Sequence, residues 1–403
     1  MTTRSSPTQG SLQDVSEQEQ MERKKPFEKL QSYLVDKLHP LMEAKTIQLV
    51  LLRDVLDYTV LRTEETRELN KVTTPLSISQ PKNELRVAFL ASKQKAAESR
   101  QLEQMLRTAI KANNLVHVSK KGQSFLIPIE KQANDDKAIE CYLKDNLCLS
   151  CPRCAMYGGT SVEEGRGEPR ANIKHRIEYS TAFSLMPFRD IGESVTFNAL
   201  IDITQTTGQA LGDRFVVIPA TIFPSIITLR SVTWREFVLT IKTLLACHSY
   251  GAESRTSGDA RNSILGIVAG WEEIITPLEL TLELYSKLYS NPDEIDNGGS
   301  IANKSIFDTS TEEAQTAEDP AKNNPTPAEP IADRLNGKTI KSILDSYKSL
   351  AGNKNQITIF TPEETKELIE LAAETNLDIK FLDAAYKDVA DYRKVQLDRA
   401  KKK

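Results

Sequence analysis

The sequence predicts an α+β fold that contains a large inserted region and ends in helices. Apolar, β-branched segments typical of strands alternate with segments whose first residues form helix-capping boxes. Strand, strand-helix, helix and strand follow one another in an order compatible with a ferredoxin-like split β-α-β core. About a hundred residues separate the two central helices, and an insertion of that length indicates a functional region.

The individual elements follow from local composition. The amino-terminal region predicts a helix over residues 27–44, and the β-branched run from Thr46 to Leu61 predicts a long strand or a hairpin. Capping boxes that begin at Thr233 and Thr276 predict helices that end near Cys247 and Tyr289. The other predicted elements are a strand over 85–91, a helix over 92–111, a strand over 263–270, and strand-like runs at 173–185, 195–203 and 215–218.

The chain divides into four predicted regions. Residues 1–25 are polar and predict a disordered amino terminus, whereas residues 26–290 form the main domain, with the insertion over 114–230. Residues 291–331 lack apolar side chains almost entirely and predict a disordered acidic linker. Residues 332–403 predict a helical appendage, because amphipathic patterns follow a capping box at Thr361.

The distribution of charge matters more than its total. The 403 residues include 52 Lys and Arg against 56 Asp and Glu, a net charge of −4 that by itself argues against a nucleic-acid partner. Residues 291–330 contain nine acids and two bases, a net charge of −7, and residues 331–403 have a net charge of +2. Residues 1–290 are therefore close to neutral at +1, which leaves room for a local basic groove.

No apolar stretch approaches the roughly 18 residues that a membrane span requires. The amino terminus lacks the apolar core and cleavage site of a secretory signal. We therefore expect a cytoplasmic protein.

Four cysteines are crowded into a short segment and predict a metal site. Cys148, Cys151 and Cys154 are spaced as two Cys-x2-Cys pairs, the spacing by which a tight turn presents thiolates to zinc. The fourth ligand is either Cys141 or His175. A structural zinc ion is the favoured occupant, with free thiols and an iron–sulfur cluster as alternatives. Neither His-x-Glu nor His-Glu-x-x-His accompanies the cysteines, so the predicted role is structural.

Several basic segments could contact phosphates. The segment from Tyr250 to Asn262 combines glycines, hydroxyl side chains and two arginines, a composition that can bring backbone amides and guanidinium groups close to an anion. Each basic side chain considered singly is also compatible with an ordinary solvated surface charge. The candidate phosphate-binding residues, which would contact RNA if the partner is a nucleic acid, are Arg62, Lys93, Lys95, Arg100, Lys174, His175, Arg176, Arg255, Arg261 and Asn262.

Several short motifs follow one another in a characteristic order. They are Arg62-Thr63-Glu64, Arg86-Val87-Ala88-Phe89, Cys151-Pro152-Arg153-Cys154, Tyr157-Gly158, Ala182-Phe183-Ser184-Leu185, Thr196-Phe197-Asn198-Ala199-Leu200, Phe223-Pro224-Ser225 and Gly266-Ile267-Val268. Their order resembles the guide-RNA-binding backbone subunit of type I-D CRISPR interference complexes, over roughly Thr46 to Tyr289. The loop from Tyr250 to Asn262 and the strand after it are the most specific part of this resemblance.

The resemblance implies a modified RRM-like core, of the kind shared by repeat-associated RNA-binding proteins, and a non-catalytic role. It implies that copies of the chain stack along CRISPR guide RNA with other complex subunits, and that the target DNA strand is engaged through the guide. Sequence would then be read by base pairing, and each copy needs few phosphate contacts. Two other functions remain open: a metal-dependent single-strand nuclease, and a zinc-stapled protein-interaction module.

Overall fold

The computed structural model describes residues 25–62, 68–120, 123–142, 147–160, 172–201, 206–251, 258–288 and 335–400. The disorder predicted for residues 1–25 and 291–331 lies outside these ranges, apart from residue 25 itself. Arg255 also lies outside them.

Nine helices are described. The first, α1, spans residues 25–31. The others are α2 (Ala91–Ala112), α3 (Pro152–Tyr157), α4 (Phe188–Ile191), α5 (Trp234–Ala246), α6 (Pro277–Leu288), α7 (Gly337–Leu350), α8 (Pro362–Glu374) and α9 (Ile379–Ala400), with short 3₁₀ turns at Ile129–Lys131 and Lys354–Gln356. None of the described helices is both long and apolar enough to cross a membrane.

Fifteen strands accompany these helices within the described residues. They are β1 (Thr46–Val55), β2 (Lys71–Pro75), β3 (Asn83–Phe89), β4 (Leu115–Lys120), β5 (Gln123–Pro128), β6 (Lys137–Ala138), β7 (Gly159–Thr160), β8 (Asn172–Ile173), β9 (Ile177–Tyr179), β10 (Ala182–Phe183), β11 (Gly192–Ile201), β12 (Thr206–Val217), β13 (Ile222–Arg230), β14 (Ala260–Gly270) and β15 (Thr358–Ile359). The predicted α+β class is thereby confirmed.

The central sheet has five antiparallel strands in the order β15-β14-β1-β13-β9. β1 lies in the middle, where Thr46 pairs with Arg230 on one side and with Gly270 on the other. Its apolar, β-branched sequence suits this position, because a strand bonded at both edges and covered on both faces exposes almost no side chain.

Four strands of this sheet, β1, β9, β13 and β14, are connected through two helical crossovers. α2 lies between β1 and β9, and α5 lies between β13 and β14. Two of these strands, β9 and β13, fall inside the range 114–230 that the sequence pattern assigns to an insertion. The inserted structure is therefore discontinuous: the hairpin β4-β5 and the cysteine segment precede β9, and the hairpin β11-β12 separates β9 from β13.

Both faces of the central sheet are covered. Ile47, Leu49 and Leu51 pack into one cluster with residues of α2, α5, α8 and α9, including Leu102, Phe237, Leu368 and Leu382. The alternate residues Val50 and Leu52 pack into a second cluster with residues of α6 and α7, including Leu280, Leu284, Ile340 and Leu344. Because successive side chains of a strand point to opposite faces of the sheet, β1 contributes residues to both clusters.

The carboxy-terminal helices are joined to the main domain. β15 extends the central sheet by pairing with β14. Arg235 of α5 binds Asp388 of α9 with two hydrogen bonds, at 2.6 Å from Nε and 2.9 Å from Nη2. The region predicted as a helical appendage, residues 332–403, therefore contributes a strand and several buried side chains to the core.

One predicted helix is much shorter than expected. The sequence predicts a helix over residues 27–44, but α1 ends at residue 31. Pro40 disfavours helical geometry at the residue before it. Beyond α1 the backbone bonds to other elements instead: Val35 N–H donates to Val232 O at 3.0 Å, and Leu34 O accepts from Lys45 Nζ at 2.9 Å.

Candidate metal centre and nucleic-acid interface

Four cysteine thiols converge in one place. Cys151 precedes the first residue of α3, Cys154 lies within that helix, and Cys141 and Cys148 come from the segment before it. The four Sγ atoms all lie within 4.8 Å of one another, and those of Cys141 and Cys154 are 3.5 Å apart. Ligands about 2.3 Å from a tetrahedral zinc ion lie about 3.8 Å apart, so the arrangement fits zinc.

The structure resolves the alternatives for the fourth position in favour of Cys141. His175 does not belong to the cluster, which is formed by the four cysteines alone among the described residues. The fifth cysteine, Cys247, is buried in a different part of the core. A zinc ion bound by four thiolates would supply a structural cross-link between α3 and the segment before it. Such a set leaves no open coordination position for a substrate.

The thiols influence one another strongly. Hydrogen bonds within the cluster lower the pKa of the Cys154 and Cys141 thiols below their ordinary value and raise those of Cys148 and Cys151 above it. A lowered thiol pKa favours the thiolate, which is the form that binds a metal.

A pocket of about 440 Å³ lies where the amino-terminal end of α2 meets β9. We call it the Lys95–His175 pocket, after the two basic side chains that line it. It is completed by Ala91, Ser92, Ile177, Glu178 and Tyr179.

The end of α2 favours negative charge in this pocket. Leu90, the residue before the helix, provides no capping side chain, and the first turn, all of which is described, contains no acidic residue. Thr181 Oγ1 accepts from Ala91 N–H at 3.4 Å. The positive end of a 22-residue helix dipole, supported by Lys95, is suited to a phosphate or another anion.

Burial comes first and neighbouring charge second among the causes that shift the pKa values of the two basic side chains in this pocket. Burial lowers the pKa of Lys95, and the nearby charge of Arg153 lowers it further. Burial also lowers the pKa of His175; the charges of Lys95, Lys174 and Arg230 act in the same direction, and that of Glu178 opposes them. A bound phosphate would stabilise the charged forms of both side chains.

The structure brings some of the predicted RNA-binding residues together. Lys95 and His175 line the same pocket, and the adjacent Lys174 is exposed. Lys93 is partly buried and Arg100 exposed on α2, whereas Arg62 is partly buried after β1 and has contacts of its own. Arg261 is exposed on β14 beside its cross-strand partner Asp54.

Two predicted RNA-binding residues are inside the protein instead. Arg176 is 1 % exposed, donates to Ser231 O and His39 O at 3.1 Å, and lies 3.8 Å from Glu236. Asn262 is buried, accepts from Arg53 and donates to Leu244 O. Their placement gives them structural contacts within the chain, so neither presents its side chain at the surface; their contact with RNA stays a prediction.

Sequence reasoning missed Ser92, Glu178 and Tyr179 in the Lys95–His175 pocket. No local motif marks them. Their common signal is the adjacency of the start of α2 and the edge strand β9, which are about eighty residues apart in the chain.

These features define an α+β protein with a four-cysteine centre and a basic pocket at a helix terminus. A family model described as Csc2 CRISPR matches residues 30–350, which is most of the chain. The chain therefore belongs to the Csc2 CRISPR family.

The crystal structure of Thermofilum pendens Csc2 is similar in fold, with a TM-score of 0.55 and 18 % sequence identity over 93 % of this chain and 95 % of that chain. Weaker similarity extends to a CRISPR RNA-guided surveillance complex (TM-score 0.34, 10 % identity, 58 % of this chain and 71 % of that one). A Type IV-B CRISPR complex is also similar (TM-score 0.33, 12 % identity, 54 % and 90 %). No curated protein is significantly similar in sequence.

Proposed function

We propose that this chain is a non-catalytic, guide-RNA-binding backbone subunit of a type I-D CRISPR interference complex. In this role copies of the chain polymerise along CRISPR RNA in the cytoplasm, together with other complex subunits, and support hybridisation of the target strand. Membership of the Csc2 CRISPR family over residues 30–350 is the observation on which the proposal rests. The Lys95–His175 pocket is the place where the chain would hold a phosphate of the guide.

The fold is consistent with recognition of a backbone. The strand order and the two helical crossovers follow the ferredoxin-like pattern that RRM-like domains share. RRM domains stack bases on an open sheet face, but here α6 and α7 cover one face and α2 and α5 the other. RNA would instead contact the helix terminus and basic side chains at the sheet edge, and base pairing would read sequence.

Purification of the full chain tests this proposal. We expect RNA to copurify in low salt, to elute with protein at high mass in size exclusion, and to contain repeat and spacer sequences when a CRISPR array is coexpressed. Elution as a nucleic-acid-free monomer under these conditions would contradict the proposal. Divalent-dependent cleavage of RNA or single-stranded DNA, abolished by one Asp or Glu substitution, would support the nuclease alternative instead.

A further inference from the structure

A second cavity lies beside the cysteine cluster, apart from the Lys95–His175 pocket. It has a volume of about 280 Å³ and opens between the carboxy-terminal half of α2, β4 and α9. We call it the Arg153–His117 cleft. Leu106, Ile110, Leu115 and Ile139 contribute apolar walls, and Tyr142 and Tyr386 contribute aromatic ones.

Two buried polar side chains in this cleft each have one nitrogen without a hydrogen-bond partner in the described part of the chain. Arg153 is 4 % exposed and His117 is 6 % exposed, and both line the cleft. Arg153 Nε and Nη2 donate to Ser99 Oγ at 3.2 and 2.9 Å, but Arg153 Nη1 and His117 Nε2 have no hydrogen-bond partner among the described residues. Buried polar atoms are rarely left unpaired, because the loss of water costs free energy, so both atoms indicate a missing ligand.

The surroundings hold these two groups in place. The His117 ring packs edge-on against Tyr386, with centroids 4.8 Å apart. The two hydrogen bonds that Arg153 donates to Ser99 Oγ fix the plane of the guanidinium. A rigid pair of polar atoms between apolar walls is typical of a small-molecule site in which a few polar contacts set orientation.

The chemistry of the cleft favours a flat, largely uncharged ring over a phosphate. Glu103 and Glu140 line the cleft and offset the positive charge of Lys111 and Arg153, which line it too. Arg107 is already occupied, since its Nη2 donates to Glu103 Oε1 at 2.6 Å and to Cys141 O at 3.3 Å. A nucleobase offers a carbonyl oxygen for Arg153 Nη1, a ring nitrogen or N–H for His117 Nε2, and apolar faces for the walls. The volume suits one ring system.

The cleft and the Lys95–His175 pocket lie along the same helix. Lys95, which lines the pocket, is on the same side of α2 as Glu103 and Ile110, which line the cleft, whereas Ser99 and Leu106 between them are buried. At 1.5 Å per residue, Leu106 lies about 16 Å along the helix from Lys95, a span of a few nucleotides. We propose that the Arg153–His117 cleft binds one unstacked nucleobase of an RNA strand that also reaches the Lys95–His175 pocket; this inference rests on the proposed function.

The test uses the full-length chain and a uridine-rich single strand that contains 4-thiouridine. Irradiation of the wild type should cross-link 4-thiouridine to peptides that contain Tyr142 or Tyr386. Ile110→Trp fills the cleft and should abolish this cross-link and weaken RNA binding on the order of tenfold. His117→Phe, which keeps a ring against Tyr386, should weaken it severalfold. Gln104→Trp, at an exposed position of the same helix, is the matched control.

An abasic strand of equal length separates base binding from backbone binding, because Ile110→Trp should not change its affinity. Suppose that Ile110→Trp and His117→Phe bind RNA as tightly as the wild type does, and that cross-links are found only outside the cleft. This result would overturn the nucleobase site and leave the proposed function intact. Failure of the wild type to bind any of these strands would overturn both. The wild-type cross-link decides the matter even if Ile110→Trp is poorly folded.

Discussion

Arg53 Nη1 lies 2.8 Å from Glu98 Oε1, and neither side chain is exposed to solvent. The pair joins β1 to α2. Tyr250 Oη and Asn262 Oδ1, at the two ends of the segment from Tyr250 to Asn262, also accept hydrogen bonds from Arg53 Nη1, at 2.9 and 2.8 Å. Burial is the largest single influence and acts to lower the pKa of Arg53, but the charges of Glu98, Tyr250 and Tyr179 and the hydrogen bond to Glu98 together outweigh it, so the pKa lies above its ordinary value.

Removing one partner of this pair should be strongly destabilising, because the other charge stays buried without compensation. Glu98→Gln should lower the free energy of unfolding by about 3–5 kcal/mol, measured by denaturant titration. The exposed ion pair between Lys341 and Asp345 provides the control, since Asp345→Asn should cost at most about 1 kcal/mol. Equal effects of the two substitutions would contradict the structural role of the Arg53–Glu98 pair.

The cysteine cluster predicts a metal content that depends on four residues. Protein expressed without added metal should contain about one equivalent of zinc, and Cys141→Ser, Cys148→Ser and Cys151→Ser should each lose it together with thermal stability. Metal analysis should find full zinc content in Cys247→Ser and His175→Ala. Zinc retained in Cys141→Ser but lost in His175→Ala would reverse the ligand assignment.

The Lys95–His175 pocket predicts a specific salt dependence. Lys95→Glu should weaken binding of single-stranded RNA and reduce the slope of log affinity against log salt by about 0.7 for one lost phosphate contact, measured by fluorescence anisotropy. Lys366→Glu reverses the charge of a side chain that is 77 % exposed on α8, away from the pocket, and should leave the slope unchanged. An unchanged slope in Lys95→Glu would exclude this pocket as a phosphate site.

RNA binding should also depend on pH through His175. In the free protein its pKa lies below 6.5, because burial and the charges of Lys95, Lys174 and Arg230 disfavour protonation. A bound phosphate favours the protonated form, so binding takes up a proton and affinity should rise as the pH is lowered from 8 toward 6. His175→Gln should flatten this rise; an identical pH profile in the variant would contradict the assignment.

The carboxy-terminal helices should unfold with the main domain. Leu368 of α8 is buried in the core that contains Leu49 of β1, and Leu368→Ala should lower the free energy of unfolding by about 2–5 kcal/mol. Ile379→Ala removes a side chain that is 54 % exposed and should change it by less than about 0.5 kcal/mol. Two separate thermal transitions, with only one shifted in Leu368→Ala, would indicate an independent appendage.

Local patterns predicted the helices with capping signals. Thr233 and Thr361 form complete capping boxes at the starts of α5 and α8, and α2 and α6 lie within two residues of their predicted bounds. The prediction of a helix over residues 27–44 was wrong, because Pro40 and tertiary hydrogen bonds determine the backbone conformation beyond residue 31.

The site was predicted in part. Cysteine spacing predicted the cluster of thiols, but three-dimensional convergence was needed to place Cys141 rather than His175 in it; the zinc ion stays a prediction. Among the basic residues, charge alone could not separate Lys95, which lines a pocket, from Arg176, which is buried against Glu236. Arginine occurs in both settings, because a guanidinium can satisfy its donors on a phosphate or on carbonyl oxygens inside the protein.

The sequence by itself determined the α+β class, the position of most capped helices and the cysteine cluster, because propensity, capping and ligand spacing act over a few residues. Tertiary structure alone decided that β9 and β13 belong to the central sheet, that residues 332–403 complete the core, and that His175 meets Lys95. Those outcomes depend on pairings between residues far apart in the chain, and a local pattern contains no information about its distant partner.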